Sequence, residues 1–249
     1  MRTMMKTTIL SAVLALALTP AAARAQGASL HGFGPINSSM GGAGVALPED
    51  SLNALAFNPA LVTAVEGNQV SFSTEFFKDD INIHATVGSL QGDAHPKSAM
   101  SIVPAFGWMM RDPSKKMALG FGLIGVSGFG TDYPQDNASV FFALPPNGFG
   151  RIFTNYAVIR VPTAVGFQVT PKLSVGASFN LYIGQFSVAP LPYNQFDTSA
   201  NGDRWYPEAG KPDQSYAVAG QFGFFYQATP KLSVGASYTM KQNYSTYQW

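Results

Sequence analysis

The stretch LGFGLIGVSGFGTDYP, Leu119 to Pro134, sets Gly120, Gly122 and Gly125 in a GxGxxG pattern, the spacing with which a loop brings backbone amides against a dinucleotide pyrophosphate. That chemistry also needs a helix opened by the loop and an acid some twenty residues on. Position 145 is Pro, the nearest acids are Asp132 and Asp136, and Val126-Ser-Gly-Phe-Gly-Thr opens no helix. Ser127, in Gly-Val-Ser-Gly-Phe, misses the last glycine of a GxSxG nucleophile elbow. His31, His84 and His95 lack metal-ligand spacing, and the chain has no cysteine, which removes thiolate ligands and Cys nucleophiles. No enzyme activity, no cofactor, no metal and no catalytic residue is expected.

What the stretch does contain is a break in alternation. Met117, Leu119, Phe121 and Leu123 share one parity, whereas Ile124 and Val126 fall on the other. A one-residue slip amid glycines marks a β-bulge or kink. Gly120, Gly122, Gly125 and Gly128 are therefore read as making a bend in a strand, the plainer alternative being glycine used only for curvature.

The bend must belong to an exported chain. Arg2 and Lys6 precede the apolar run Ile9 to Leu18, and Ala23-Arg24-Ala25 offers small residues for cleavage, so residues 1–25 read as a signal peptide. Only 12% of residues are charged, against about 25% in soluble globular chains. Formal net charge is +1 with no basic patch, which excludes nucleic acid as a partner. Past residue 25 no apolar run approaches the length of a membrane-spanning helix. The remaining way for such a chain to cross a membrane is a closed barrel of tilted strands.

Period-2 alternation fits that reading. From Asn155 to Val169, Ala157, Ile159, Val161, Thr163, Val165 and Phe167 oppose Tyr156, Val158, Arg160, Pro162, Ala164, Gly166 and Gln168. Leu173 to Gln185 and Leu232 to Met240 split the same way, apolar against Ser, Gly, Asn and Thr. The sequence TPKLSVGAS occurs twice, at Thr170 to Ser178 and Thr229 to Ser237, each time joining two alternating runs by a tight turn. Long polar segments, about 78–97, 130–151 and 189–215, join the other ends, the asymmetry of outer-membrane barrels. Trp108, Phe167, Phe224 and Tyr226 would form part of an aromatic girdle near the short turns. An exported β-sandwich is the alternative, disfavoured by the strand lengths and unequal loops. Seven strands are expected, at about 69–77, 98–110, 117–129, 153–169, 172–187, 215–228 and 231–247. Single-chain bacterial barrels have an even number, so Trp249 is expected to be the edge of a fragment, with about seven further strands encoded in frame beyond it.

Ahead of the strands, SSMGGAGVALPEDSLNALAFNPALVT at Ser38 to Thr63 carries the Gly/Ala-rich Ser39 to Gly44 and the triplet Asn58-Pro59-Ala60. Together with Gly128-Phe-Gly-Thr-Asp-Tyr133 and the Pro-Lys-Leu-Ser-Val-Gly-Ala strand starts, this resembles the FadL-type family of outer-membrane long-chain fatty acid and hydrocarbon transporters, which includes toluene-uptake proteins. The resemblance implies an all-β transmembrane antiparallel barrel of about fourteen strands, here half present. It also implies a hatch at residues 26–65 ahead of the partial barrel at 66–249. Cargo would be a hydrophobic small molecule, a fatty acid, hydrocarbon or detergent-like lipid, leaving sideways through a gap at a kinked third strand. Outer-membrane lipids and the barrel-assembly machinery are the implied partners, with the complete protein monomeric in a Gram-negative outer membrane.

Site roles follow the resemblance and the parity together. Asn58, Pro59 and Ala60 inherit a gating role, and Phe33 resembles the family's N-terminal plug residue. Pro59 lacks an amide donor and restricts Asn58, fixing a bend after the helix-compatible stretch Ser51 to Phe57; a simple helix stop would explain the same residues. A buried carboxylate needs a cation, and Arg160 is the inward-facing guanidinium within a strand; it could equally pair with Glu49 or Asp50. Lys241 is inward by parity but toward the outer rim. Phe141, Phe142, Leu144 and Phe149 are candidates for an apolar capture surface, or for loop core. The alternative function is a non-transporting structural or adhesive surface barrel, distinguished by whether deleting Gln26 to Val65 alters uptake.

Overall fold

The protein, a computed structural model, is described over residues 29–249 apart from 79–80, 88–89, 98–99, 113, 115, 138, 140 and 192–194. The expected signal peptide at 1–25, the first hatch residues 26–28 and the expected start of the second barrel strand at 98–99 lie outside the described residues.

The described residues open with short helices, bounded by capping and proline chemistry. Helix α1 (Pro35–Ser39) is followed by a glycine-rich loop, helix α2 (Ser51–Phe57) and one turn of 3-10 helix (Pro59–Thr63). Asp50 starts α2 by accepting the Asn53 amide at 2.8 Å. Asn58 ends it in extended conformation and caps the 3-10 turn, whose first position is Pro59, where a missing amide hydrogen costs nothing.

The wall follows as β1 (Gln69–Lys78), a hairpin of β2 (Ile83–Val87) and β3 (Leu90–Ala94), then β4 (Met100–Asp112), β5 (Met117–Tyr133), β6 (Ile152–Thr170) and β7 (Leu173–Ala189). A small hairpin of β8 (Asp197–Thr198) and β9 (Arg204–Trp205) leads to β10 (Ala209–Thr229) and β11 (Leu232–Thr239). One seven-stranded sheet has the order β1-β4-β5-β6-β7-β10-β11, antiparallel at every step, so the edge strands β1 and β11 run in the same direction. The fold is half a barrel wall curled around the N-terminal helices.

Alternation divides the two faces as the pleat requires. In β6 Val158, Arg160, Pro162, Ala164 and Gly166 are buried while Ala157, Thr163, Phe167 and Val169 are exposed. The convex face exposes Phe72, Trp108, Phe121, Phe179, Phe222 and Tyr238, an apolar exterior suited to lipid. Trp108, Phe167, Phe224 and Tyr226 all point outward. On the concave face Leu52, Leu55, Leu61 and Val62 of the hatch form one core with Met109, Ala118, Ile124, Ala164 and Phe225 of the wall. Each such apolar side chain contributes about 1.5–3 kcal/mol on burial, so the hatch is seated mainly by packing. The repeated turn is stabilised by its threonine: Thr170 Oγ1 accepts the Lys172 and Leu173 amides at 3.3 and 3.0 Å, and Thr229 Oγ1 the Lys231 amide at 3.2 Å.

Three expectations are corrected. The last strand ends at Thr239 instead of 247, and residues 240–249 fold back so that Tyr244 rests on Tyr182, and Tyr247 and Trp249 on Phe186. Lys241 consequently has no strand parity and is exposed. The sixth barrel strand starts at Ala209, earlier than 215, because backbone pairing with β7 carries it through Lys211, Pro212 and Asp213 across a register shift that has no apolar alternation. The first and third long segments also contain the β2-β3 and β8-β9 hairpins.

Candidate functional site at the hatch and the third barrel strand

Asn58 is completely buried and uses its whole amide. Nδ2 donates to Val45 O at 2.8 Å and Phe224 O at 2.9 Å, and Oδ1 accepts the Ala60 amide at 3.0 Å. One side chain thus ties the glycine-rich loop, the wall strand β10 and the 3-10 turn together. Further along, Thr63 Oγ1 meets Ser174 Oγ at 2.7 Å, and Gln221 Nε2 donates to Phe57 O at 3.0 Å and Ser237 Oγ at 2.9 Å. Inside the hatch, Asn37 Nδ2 donates to Asn53 Oδ1 at 3.1 Å, while Asn53 Nδ2 reaches Gly44 O at 3.1 Å. Sequence reasoning missed Asn37, Asn53, Thr63, Ser174 and Gln221 as hatch fasteners. Only Asn53 carried a signal, as a lone amide inside the apolar Leu52-Asn-Ala-Leu-Ala56.

Arg160 is 6% exposed, and its Nη2 donates to Leu55 O at 2.7 Å and Ala56 O at 2.8 Å. These are carbonyls at the C-terminal end of α2, where a cation is favoured. The guanidinium therefore bonds to helix carbonyls and to neither Glu49 nor Asp50, and its Nε has no hydrogen-bond partner among the described residues.

Both Glu49 carboxylate oxygens are shielded from solvent and have no hydrogen-bond partner among the described residues. They border a cavity of about 570 Å³ at the short-turn end, lined also by Glu66, Arg111, Gln168, Lys172 and Gln227. Burial, and after it the neighbouring Asp50, push the Glu49 pKa above its ordinary value. A raised carboxyl pKa means the seated hatch holds the proton more tightly than the unfolded chain does. The stabilisation is complete below the ordinary glutamate pKa and is lost as pH rises through the raised one. Protease protection of the hatch is accordingly expected to weaken as pH rises above the ordinary glutamate range, and Glu49→Gln to flatten that dependence; an unchanged profile in the variant would assign it to another group.

In β5, Ala118, Gly120, Gly122 and Ile124 face inward, and the register with β6 shifts between Gly125 and Ser127, leaving Val126 out of the ladder. The glycines divide their work. A Cβ at Gly120 or Gly122 would press on Leu55 of α2, at 2.9 and 3.1 Å, whereas Gly125 stands at the shift and Gly128 has ordinary space around it. The ladder between β4 and β5 runs only from Asp112↔Met117 to Ala105↔Ile124. Beyond it the outer half of β5 is paired to β6, and Met100 to Pro104 to β1. The first described residues close on this interruption: the Leu30 amide donates to Val126 O at 3.1 Å, and Ser29 bridges Ser127. Phe33 packs against Phe57 with the rings tilted and their centroids 5.5 Å apart, and joins the hatch core. The Asn58-Pro59-Ala60 turn packs on β6, β7 and β10, at the level where Gly166 pairs with Ala118. That is eight residues along β5 from Val126, roughly 26 Å at about 3.3 Å per residue.

Of the four loop residues, Phe142 is buried against Tyr133 at 5.6 Å, with Phe141 packed beside it, in a small loop core. This corrects their candidacy for a capture surface, because the hairpin β2-β3 supplies Ala94 and Ile83 to cover them. Leu144 is half-buried, and Phe149 stays exposed, with its ring 6.1 Å from Tyr206.

Residues 14–246 match the family described as outer membrane protein transport protein (OMPP1/FadL/TodX). Among solved structures, a TodX deltaS2S3 mutant monoaromatic hydrocarbon channel superposes with a TM-score of 0.67 at 22% identity, over 86% of this chain and 56% of that one. The P. putida toluene transporter TodX gives 0.62 at 22% identity over 86% and 57%, and the Ralstonia pickettii toluene transporter TbuX 0.60 at 23% over 86% and 58%. The chain spans little more than half the length of these structures. No match was found among curated proteins. With the sheet and the family match in agreement, the chain belongs to the outer membrane protein transport protein (OMPP1/FadL/TodX) family.

Proposed function

We propose that this chain forms the hatch-bearing wall of a passive outer-membrane channel that takes up hydrophobic molecules and releases them sideways between β4 and β5. The observation that carries the reading is the interrupted ladder. A sideways exit needs a place where neighbouring strands are not already joined by backbone hydrogen bonds, and above Ala105↔Ile124 the wall offers one. The polar cavity supports the same direction. An apolar molecule moving straight toward the short turns would meet Glu49, Glu66, Arg111 and Lys172, whereas the convex face beside the gap is apolar. The likeness to the monoaromatic hydrocarbon channel TodX and the toluene transporter TbuX favours aromatic hydrocarbons, and the buried Arg160 would serve fatty acids by meeting a carboxylate head group. Movement down a partition gradient needs no cofactor or nucleotide.

In this reading Asn58, Pro59 and Ala60 hold the hatch in its resting place. Asn58→Ala removes two donors to the glycine-rich loop and the wall and the acceptor of the Ala60 amide, a loss of about 1–3 kcal/mol. Uptake of labelled hydrocarbon or fatty acid is expected to rise several-fold, because the turn leaves its seat more readily, while the barrel still shows its folded, heat-modifiable mobility. Unchanged uptake would remove the gating role.

A further inference from the structure

We propose that Gly176, flanked in register by Gly166 and Gly223, is the residue that positions the Asn58-Pro59-Ala60 turn. Gly166 pairs with Gly176 across β6 and β7, and Gly176 with Gly223 across β7 and β10. Three neighbouring strands thus lack a side chain at the same level on the concave face. Glycine inside a strand costs about 0.5–1 kcal/mol relative to alanine, so three aligned are a weakness unless something needs the space. The hatch turn fills it. A Cβ at Gly176 would overlap the Pro59 carbonyl carbon and oxygen and come within 2.5 Å of the Ala60 nitrogen. One at Gly223 would overlap Asn58 Oδ1. At Gly166 the neighbours are the Val62 and Thr63 methyl carbons at 2.6 and 2.9 Å, which can rotate, and the Pro59 carbonyl oxygen at 3.3 Å. At Gly176 all three nearest neighbours are backbone of the turn itself, within 2.5 Å, which cannot yield without moving the turn. Close seating is also what lets Asn58 Nδ2 reach Phe224 O on the wall.

The inference rests on the gating reading only for its effect on transport, and seating is measured separately. The chain has no cysteine, and Thr63 Oγ1 lies 2.7 Å from Ser174 Oγ, so Thr63→Cys with Ser174→Cys reports on the seated turn by forming a disulfide. The protein as encoded by its gene, carrying this pair, is oxidised in outer-membrane preparations and crosslink yield is read by gel. Adding Gly176→Ala is expected to lower the yield about tenfold, because a bridge tolerates little change in Cα separation. Gly130→Ala, whose Cβ would sit at an ordinary 3.4 Å from Thr154 O, leaves it unchanged. Should Gly176→Ala fail to assemble, Gly166→Ala in the same assay is expected to lower the yield about threefold. Undiminished crosslinking in the assembled variant overturns the inference. A lower yield with unchanged uptake keeps Gly176 as the seat and removes the gating reading instead.

Discussion

Oxidation of a chain bearing Thr63→Cys and Ser174→Cys is expected to cut uptake of hydrophobic cargo about a hundredfold, and reduction to restore it. The two hydroxyls already touch at 2.7 Å between the 3-10 turn and β7, so two sulfurs can bond there with little backbone movement. Within these 249 residues no native thiol competes for the bridge. The wall is unaffected, since Ser174 keeps its ladder with Gln168 and Phe225; what is lost is the freedom of the turn to leave its seat. Accumulation of a labelled aromatic hydrocarbon, with and without reductant, separates the two states in one preparation. If the oxidised protein transports as fast as the reduced one, the hatch does not gate.

The second large effect is on cargo chemistry. Arg160→Ala is expected to weaken uptake of carboxylate-bearing molecules about ten- to a hundredfold, and of neutral hydrocarbons by no more than about threefold. Part of the loss is common to both, because the Leu55 and Ala56 carbonyls lose their donor and α2 its cation. The ratio between cargoes isolates the head group, and competition between a fatty acid and a neutral hydrocarbon of similar size measures it. Equal losses would leave Arg160 as an anchor of α2 and nothing more.

How much of this was legible depends on which residues are asked. The alternation in β6, β7 and β11 was plain because strand parity is local and the faces differ sharply. The parity change between Leu123 and Ile124 fell in unbroken register, where Ile124 simply turns inward; the β5–β6 register shifts further on, between Gly125 and Ser127. The inward position of Gly166, Gly176 and Arg160 followed from parity. That Gly166, Gly176 and Gly223 stand side by side did not, since register between strands is set by turns and pairing that no single strand contains. Arg160 shows the same limit: its direction was readable, but its partners are carbonyls of a helix about a hundred residues away, and backbone acceptors leave no trace in a sequence. Lys241 and the tail from Met240 misled because no Gly or Pro punctuates the sequence where the pairing with β10 stops at Thr239. The hairpins in the long loops were hidden because their strands are only two to five residues long.

The shared direction of β1 and β11 has a geometric consequence. Two edges that point the same way cannot be zipped to each other as an antiparallel pair. Turning a second copy about the barrel axis leaves every strand direction unchanged, so the edges of two such sheets would again meet head to head, in parallel. An antiparallel wall therefore closes around this hatch only through an odd number of additional strands, and a second copy of the seven-stranded sheet related by rotation about the barrel axis does not supply the matching edges.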